Sequence, residues 1–424
     1  MPDPPTSATT GELSLLREFV VRLGGAMTAA GDSVNSINET LHRIVVAYGA
    51  PEFEFFVLPT GMFVESGEAA TARVLLSTDQ QLIHYRFDQI ADLYQLVDEA
   101  QQAAVTPADG LIELARITVM KPSFGPVVRV LGHGILTAGL ALLLQPTLGG
   151  MAAAFGLGLL VGLLKLPRLA TLELIFPIVA AFLVAVTVFT VSHHTDLGDN
   201  PVRILIPPLA TFLPGGVLTI ATVELAAGQM IAGASRLVTG MVQLGLLAFG
   251  IVAAASLVGV SEAVLIDDPV DRLGPWAPWI GVLVLAIGNY LHFSAPIRSF
   301  GWITLVLLTA YAGQALGGAL FGGALSGFFG GLAMTPLVLW IDERPYGTPS
   351  LVTFLPAFWL LVPGALGLIG ITEYLGEDTT TGLQDFLGMF GSMIAVALGV
   401  LCGYPLYRSL ARIIRPRAGR GWCC

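Results

Sequence analysis

The chain has 424 residues, 54% of them hydrophobic and 12% charged, about half the charge of an average soluble domain. The charge is uneven: residues 1–120 hold 6 Lys+Arg against 16 Asp+Glu, while the remaining residues carry 14 of each sign. An acidic, water-soluble part followed by a long apolar body argues against a wholly soluble enzyme or a nucleic-acid binder, and makes the lipid bilayer an expected partner.

Residues 1–11 are rich in Pro, Thr and Ser and read as a disordered tail, without the apolar core of a signal peptide. "GELSLLREFVVRLGGAMTAAG" and "DSVNSINETLHRIVVAYG" have helical periodicity; Asp32 or Ser33 caps the second, and Gly49 ends it. "EFEFFVLP", "TGMFVES" and "ARVLLS" are short, β-branched or aromatic, and bounded by turn residues, so they predict strands. "DQIADLYQLVDEAQQAAV" and "TPADGLIELARITV" return to helix, with Thr106 and Pro107 as cap and first-turn pair. Residues 12–120 are therefore expected to form one cytoplasmic α+β domain.

From residue 127 onward, apolar stretches recur that are long enough to cross roughly 30 Å of hydrocarbon. Ten are read, at 127–146, 148–166, 172–192, 203–227, 234–258, 276–294, 297–314, 315–340, 350–375 and 384–408. The splits at 146–148 and 314–315 have few polar markers. With the N-terminal domain in the cytoplasm, alternation sends 12 of the 14 basic residues after position 120 to the inner side, among them Lys121, Arg129, Lys165, Arg236 and five tail arginines. Arg203 and Arg272 fall outside with acids such as Asp267 and Glu377. That sorting follows the positive-inside rule.

The fourth and ninth stretches share a pattern. "PGGVLTIATVEL" starts at Pro214 and "PGALGLIGITEYL" at Pro363, 149 residues on, and each has a glutamate ten residues after its proline. An odd number of spans per repeat forces opposite orientations. The expected fold is an α-helical polytopic membrane protein: ten transmembrane helices as two inverted five-helix repeats, with a cytoplasmic N-terminal α+β domain. The halves are residues 127–260 and 275–410, and 411–424 form a basic cytoplasmic tail. A competing alignment pairs "TFLP" at 211–214 with "TFLP" at 353–356, but leaves Glu224 without a counterpart.

Proline breaks or kinks a helix, and glycine admits close approach to the backbone. A broken helix at mid-membrane aims the amide end of its second half at a cavity that suits a carboxylate. The substrate-binding candidates are thus Pro214, Gly215, Gly216, Pro363 and Gly364, with Thr211 and Thr353 as hydroxyl donors. Glu224, Glu373 and Glu173 are candidates for proton coupling or gating; a carboxylate at headgroup level is the plainer account of each. His133 and His292 are more often packed or interfacial histidines than proton relays, and Gln243 can hydrogen-bond a polar substrate or merely join helices. The spans hold no clearly central Lys or Arg. Neither His-Glu-x-x-His nor paired membrane aspartates are present, so no catalytic residues are assigned.

"GGAMTAAGDSVNSINETLHRIVVAYG" followed by "VLPTGMFVES", "PPLATFLPGGVLTIATVELAAGQMIAGASRLVTG" and "PSLVTFLPAFWLLVPGALGLIGITEYL" resemble, in that order, the threonine/serine exporter (ThrE) family. The resemblance covers nearly the whole chain. It implies ten spans, a cytoplasmic N-terminal domain, and export driven by the proton motive force. The family also contains split relatives linked to dicarboxylate export.

The expected protein is a secondary transporter, not an enzyme. It exports small polar amino acids (threonine, serine) across the bacterial plasma (inner) membrane, with both termini cytoplasmic. Export of a dicarboxylate such as succinate is the alternative; a channel or sensor and an intramembrane enzyme stand further off. Its partners are the amino-acid solute, protons and the bilayer, and a homo-oligomer is compatible with the sequence. No cofactor, metal or nucleic acid is expected.

Overall fold

A computed structural model describes residues 10–66, 73–75, 85–144, 147–166, 175–194, 201–260, 273–344, 347–361, 368–371 and 379–414. The chain divides into two compact units: residues 1–123 with 224–236, and 124–223 with 237–424.

In the first unit, helices α1 (Thr10–Ala30) and α2 (Val34–Ala47) precede strands β1 (Phe53–Leu58), β2 (Gly61–Ser66) and β3 (Arg73–Leu75). Helices α3 (Phe87–Gln101) and α4 (Pro107–Val119) follow. The sheet is antiparallel in the order β1-β2-β3, with Phe53 opposite Ser66 and Leu58 opposite Gly61. Alternation puts Phe53, Val57, Met62 and Val64 in the core, where α2 packs on β1 and α1 on β2. Helix ends follow local chemistry. Ser33 caps α2 by accepting the N–H of Ser36, Gly49 takes the left-handed conformation after it, and Thr106 caps α4. Arg86, paired with Asp88 at 3.0 Å, donates to the Met120 carbonyl, and the amide of Gln89 donates to the carbonyls of Ile117 and Thr118; together they tie α3 to α4. Helix α1 is described from Thr10, inside the stretch read from sequence as tail, with Glu12 in its first turn.

The second unit is helical. α5 (Pro126–Leu143), α6 (Leu148–Leu164), α7 (Phe176–His194), α8 (Pro201–Leu209) and α9 (Gly215–Ala226) are followed by α10 (Met230–Val258). Then come α11 (Ala277–His292), α12 (Ile297–Phe321), α13 (Gly323–Asp342), α14 (Ser350–Leu361) and α15 (Thr379–Ile414). α9 and α10 begin or end in the 224–236 corner, which belongs to the first unit. Among the described residues, five helices are long and apolar enough to cross a membrane, or up to six with the bent pair α8–α9 counted as one span. Shorter apolar helices lie at Leu148–Leu164, Phe176–Ser192, Ala277–His292 and Ser350–Leu361. The protein is a polytopic membrane protein.

A boundary within the membrane part also differs from the sequence reading. α12 runs through residue 314 and ends at Phe321, where Gly322 turns the chain at φ +85° into α13. The glycine run offers several places for such a turn, and only backbone geometry selects one.

Helices α5 and α11 pack closely through glycines. A Cβ on Gly139 would lie 2.4 Å from the Leu285 amide nitrogen, and one on Gly288 would lie 2.2 Å from that of Leu136. A Cβ on Gly132 would meet Leu291 and His292, and one on Gly281 would meet Leu142 and Leu143. These contacts are reciprocal: each residue of α5 maps onto its counterpart in α11 by a shift of 149. The helix starts at Leu148 and Ile297, Pro201 and Ser350, and Met230 and Thr379 show the same shift. Around the α8–α9 region, α6, α7, α8 and α10 bury Val161, Val184, Leu205 and Leu247 in one core with Met389 and Met393 of α15.

Candidate functional site

The fourth apolar stretch is broken at the expected proline. Pro207 and Pro208 lie inside α8 and remove two amide donors, and the helix tightens into a 3₁₀ turn at Ala210–Phe212. Pro214 disfavours the helical conformation at the residue before it, and Leu213 is extended, with ψ 128°. The carbonyl of Pro214 then accepts the N–H of Leu218, and α9 starts at Gly215. The two segments meet at 62°. Pro214, Gly215 and Gly216 are buried. The amides of Gly215, Gly216 and Val217 precede the first helical bond and have no acceptor within α9.

Two neighbours support the break. Gln243 of α10 donates to the carbonyl of Phe212 at 2.7 Å, which satisfies a group the lost helical turn leaves open. A Cβ on Gly216 would lie 3.6 Å from Leu355 Cδ2, so the start of α9 abuts α14. On α14, Thr353 is fully buried and gives its hydroxyl to the carbonyl of Ser350. Pro356 sits inside this helix without breaking it, so the "TFLP" pairing would equate a break with continuous helix. α14 is described as far as Leu361. Pro363, Gly364, Glu173 and Glu373 lie outside the described residues.

Thr211 sits in a polar cluster that sequence reasoning did not assemble. The ammonium of Lys165 donates to the Thr211 hydroxyl, lies 3.5 Å from His133 Nε2, and stands 4.4 Å over the Phe212 ring. His133 is fully buried; its Nδ1 lies 2.8 Å from the Gly158 carbonyl and its Nε2 3.1 Å from Thr211 Oγ1. A carbonyl only accepts, so Nδ1 carries the proton and, in the neutral ring, Nε2 accepts the Thr211 hydroxyl. The rings of His133 and His292 meet edge to face at 4.7 Å, and His292 Nδ1 bonds the Arg129 carbonyl at 3.0 Å. The cluster thus joins α5, the end of α6, the turn before the break, and α11. The lone lysine ending an apolar run was the available signal, and it read as a residue of the cytoplasmic connection.

Glu224 lies elsewhere, within the first unit. Its carboxylate is 1% exposed, accepts the Val34 N–H at the start of α2 at 3.0 Å, and pairs with Arg236 at 3.2 Å. Arg236 also donates to the Asp32 carbonyl at 2.8 Å. Asp32 takes the hydroxyls of Tyr94 and Ser36 and the N–H of Ser33, yet burial outweighs these and the Arg236 charge and pushes its carboxyl up from the ordinary 3.8. No group of three His, Cys, Asp or Glu suited to a metal ion occurs among the described residues.

Comparison with known proteins follows the same outline. The chain is 24% identical over 421 residues to pheromone-regulated membrane protein 10 of Kluyveromyces lactis, covering 91% of this chain and 43% of that protein. It is 23% identical over 442 residues to the protein of the same name from Candida glabrata, covering 93% and 54%. The chain therefore spans about half the length of the curated relatives it matches. No solved structure matches it. The model of the ThrE family, described as "Putative threonine/serine exporter", matches residues 18–258, more than half of the chain, and the protein belongs to that family.

Proposed function

We propose that the protein is a secondary transporter that exports threonine and serine across the plasma membrane of a bacterial cell, driven by the proton motive force. The observation that carries this reading is the buried Pro214-Gly215-Gly216 break, with its 62° bend, in a chain of the ThrE family. Non-helical backbone at membrane depth is tolerated only where it is buried in protein or lines a watery cavity. The leading amides of α9 suit the oxygens of an amino acid, and Thr211 lies on the turn that leads into them.

Ten spans in two inverted halves, 127–260 and 275–410, complete the reading. Its support is the shared shift of 149 residues in three helix starts and in the reciprocal glycine contacts of α5 and α11. In this arrangement the matching break falls at Pro363 and Gly364, and residues 12–120 and 411–424 are cytoplasmic, as the basic residues favour. Glu173 and Glu373 are the carboxylates assigned here to proton coupling; Glu224 joins them only when its pair with Arg236 opens. A homo-oligomer fits this reading equally well. Export of a dicarboxylate such as succinate is the second reading, favoured by the ammonium of Lys165 beside Thr211.

Transport into inside-out proteoliposomes tests both. Labelled threonine or serine is expected to enter saturably, faster with a pH gradient, and to show counterflow. Preferential succinate flux would favour the second reading, flux without counterflow would point to a channel, and no flux of any of the three would end the exporter reading.

A further inference from the structure

The chain contains two lysines, Lys121 and Lys165. Lys165 caps the C-terminal end of α6, where a lysine ordinarily snorkels its ammonium out to the headgroups. Here the ammonium turns back among α5, α11 and the turn before the break. Among the described residues no carboxylate pairs with it, although an ammonium withdrawn from water needs an anion or several acceptors.

The hydrogen bonds run in one direction. The Gly158 carbonyl accepts His133 Nδ1–H, His133 Nε2 accepts the Thr211 hydroxyl, and the Thr211 oxygen accepts from Lys165. Thr211 thereby spends its proton on the histidine and offers Lys165 a lone pair. The ammonium donates to that oxygen, has His133 Nε2 at 3.5 Å and the Phe212 ring at 4.4 Å, and meets no anion among the described residues. Thr211 stands three residues before Pro214, on the turn that leads into the break.

We propose that Lys165, oriented by Thr211 and His133, is the subsite that takes the carboxylate of the transported solute. This deepens the exporter reading and rests on it. It makes an organic carboxylate, rather than the side-chain hydroxyl, the recognised group. Threonine, serine and small carboxylic acids then compete for one cation, while the amide of threonine does not.

Purified full-length protein in detergent tests this by solute-dependent thermal shift. Threonine or succinate is expected to raise the melting temperature of the wild type, and threonine amide is not. K165Q and T211V are expected to weaken the solute at least tenfold. A second measurement keeps the test open if the variants fold poorly. Acetic anhydride labelling of the wild type, read by mass spectrometry, is expected to show Lys165 protected by the carboxylate solute and Lys121 unchanged. Unaltered affinity in K165Q, equal binding of threonine amide, or no protection of Lys165 would overturn the proposal while transport in proteoliposomes still stood. Absence of flux in the wild type would remove the exporter reading and this subsite with it.

Discussion

Glu224 and Arg236 form a buried ion pair, 3.2 Å apart, and the same carboxylate accepts the N–H of Val34, 190 residues earlier in the chain. A carboxylate at a helix N-terminus complements the free amides there, so one side chain serves as cap for α2 and counter-ion for Arg236. Removing one partner leaves the other charge buried. E224A is expected to destabilise the unit by about 3 kcal/mol, and E224A with R236M by less, because the stranded guanidinium is gone. A double-mutant cycle on thermal unfolding in detergent checks this; additive effects would mean the pair is not coupled.

Asp32 gives the first unit a pH dependence of defined sign. Its folded-state carboxyl is raised above 3.8 by burial, so the folded chain holds that proton more tightly than the unfolded chain. The Asp32 contribution is therefore largest below pH 3.8 and is lost as pH rises through the raised value. Tyr94, Ser33, Ser36 and the charge of Arg236 limit the shift without reversing it, and Glu224 is the facing acid. The difference in melting temperature between wild type and D32N, followed from pH 4 upward, should move in favour of D32N. A constant difference would contradict it.

The α5–α11 contact makes a paired prediction. G139A and G288A each place a Cβ within 2.4 Å of facing backbone, so the helices must separate, at a cost of about 1–3 kcal/mol. Because the contacts are reciprocal, the two losses should be similar. G156A on α6 meets nothing within 4 Å and should be neutral or slightly stabilising, since alanine favours helix. Melting of the three variants in one detergent decides the matter, and wild-type stability in G288A would contradict the packing.

Gln243 holds the break open to bonding from one side. Q243L leaves the Phe212 carbonyl without its donor and should cost about 1–3 kcal/mol. It should also lower transport more than the similar loss from G139A, because it acts at the break itself. Equal transport in the two variants at matched stability would detach Gln243 from function.

Much of this structure is written locally. Ser33, Gly49 and Thr106 mark helix ends by local chemistry that needs no distant partner, and Pro214 biases Leu213 towards the extended conformation it adopts. What escaped sequence reasoning depends on distant partners or on backbone choice. The glycine run hides the turn at Gly322, since any of several glycines permits it. Glu224 reads as a membrane carboxylate until α2 is brought to it. Lys165 reads as an inner-loop cation because nothing in its own neighbourhood tells which way the side chain turns, and the partner that turns it, Thr211, lies 46 residues away.

If the α8–α9 break lines a water-filled path that the solute enters, thiol accessibility tests it most directly. In a background with Cys402, Cys423 and Cys424 replaced by serine, T211C and G216C in membranes should react with a water-soluble, membrane-impermeant thiol reagent, and threonine or succinate should slow the reaction. No labelling of either cysteine from either side of the membrane, or labelling that no solute alters, would contradict it.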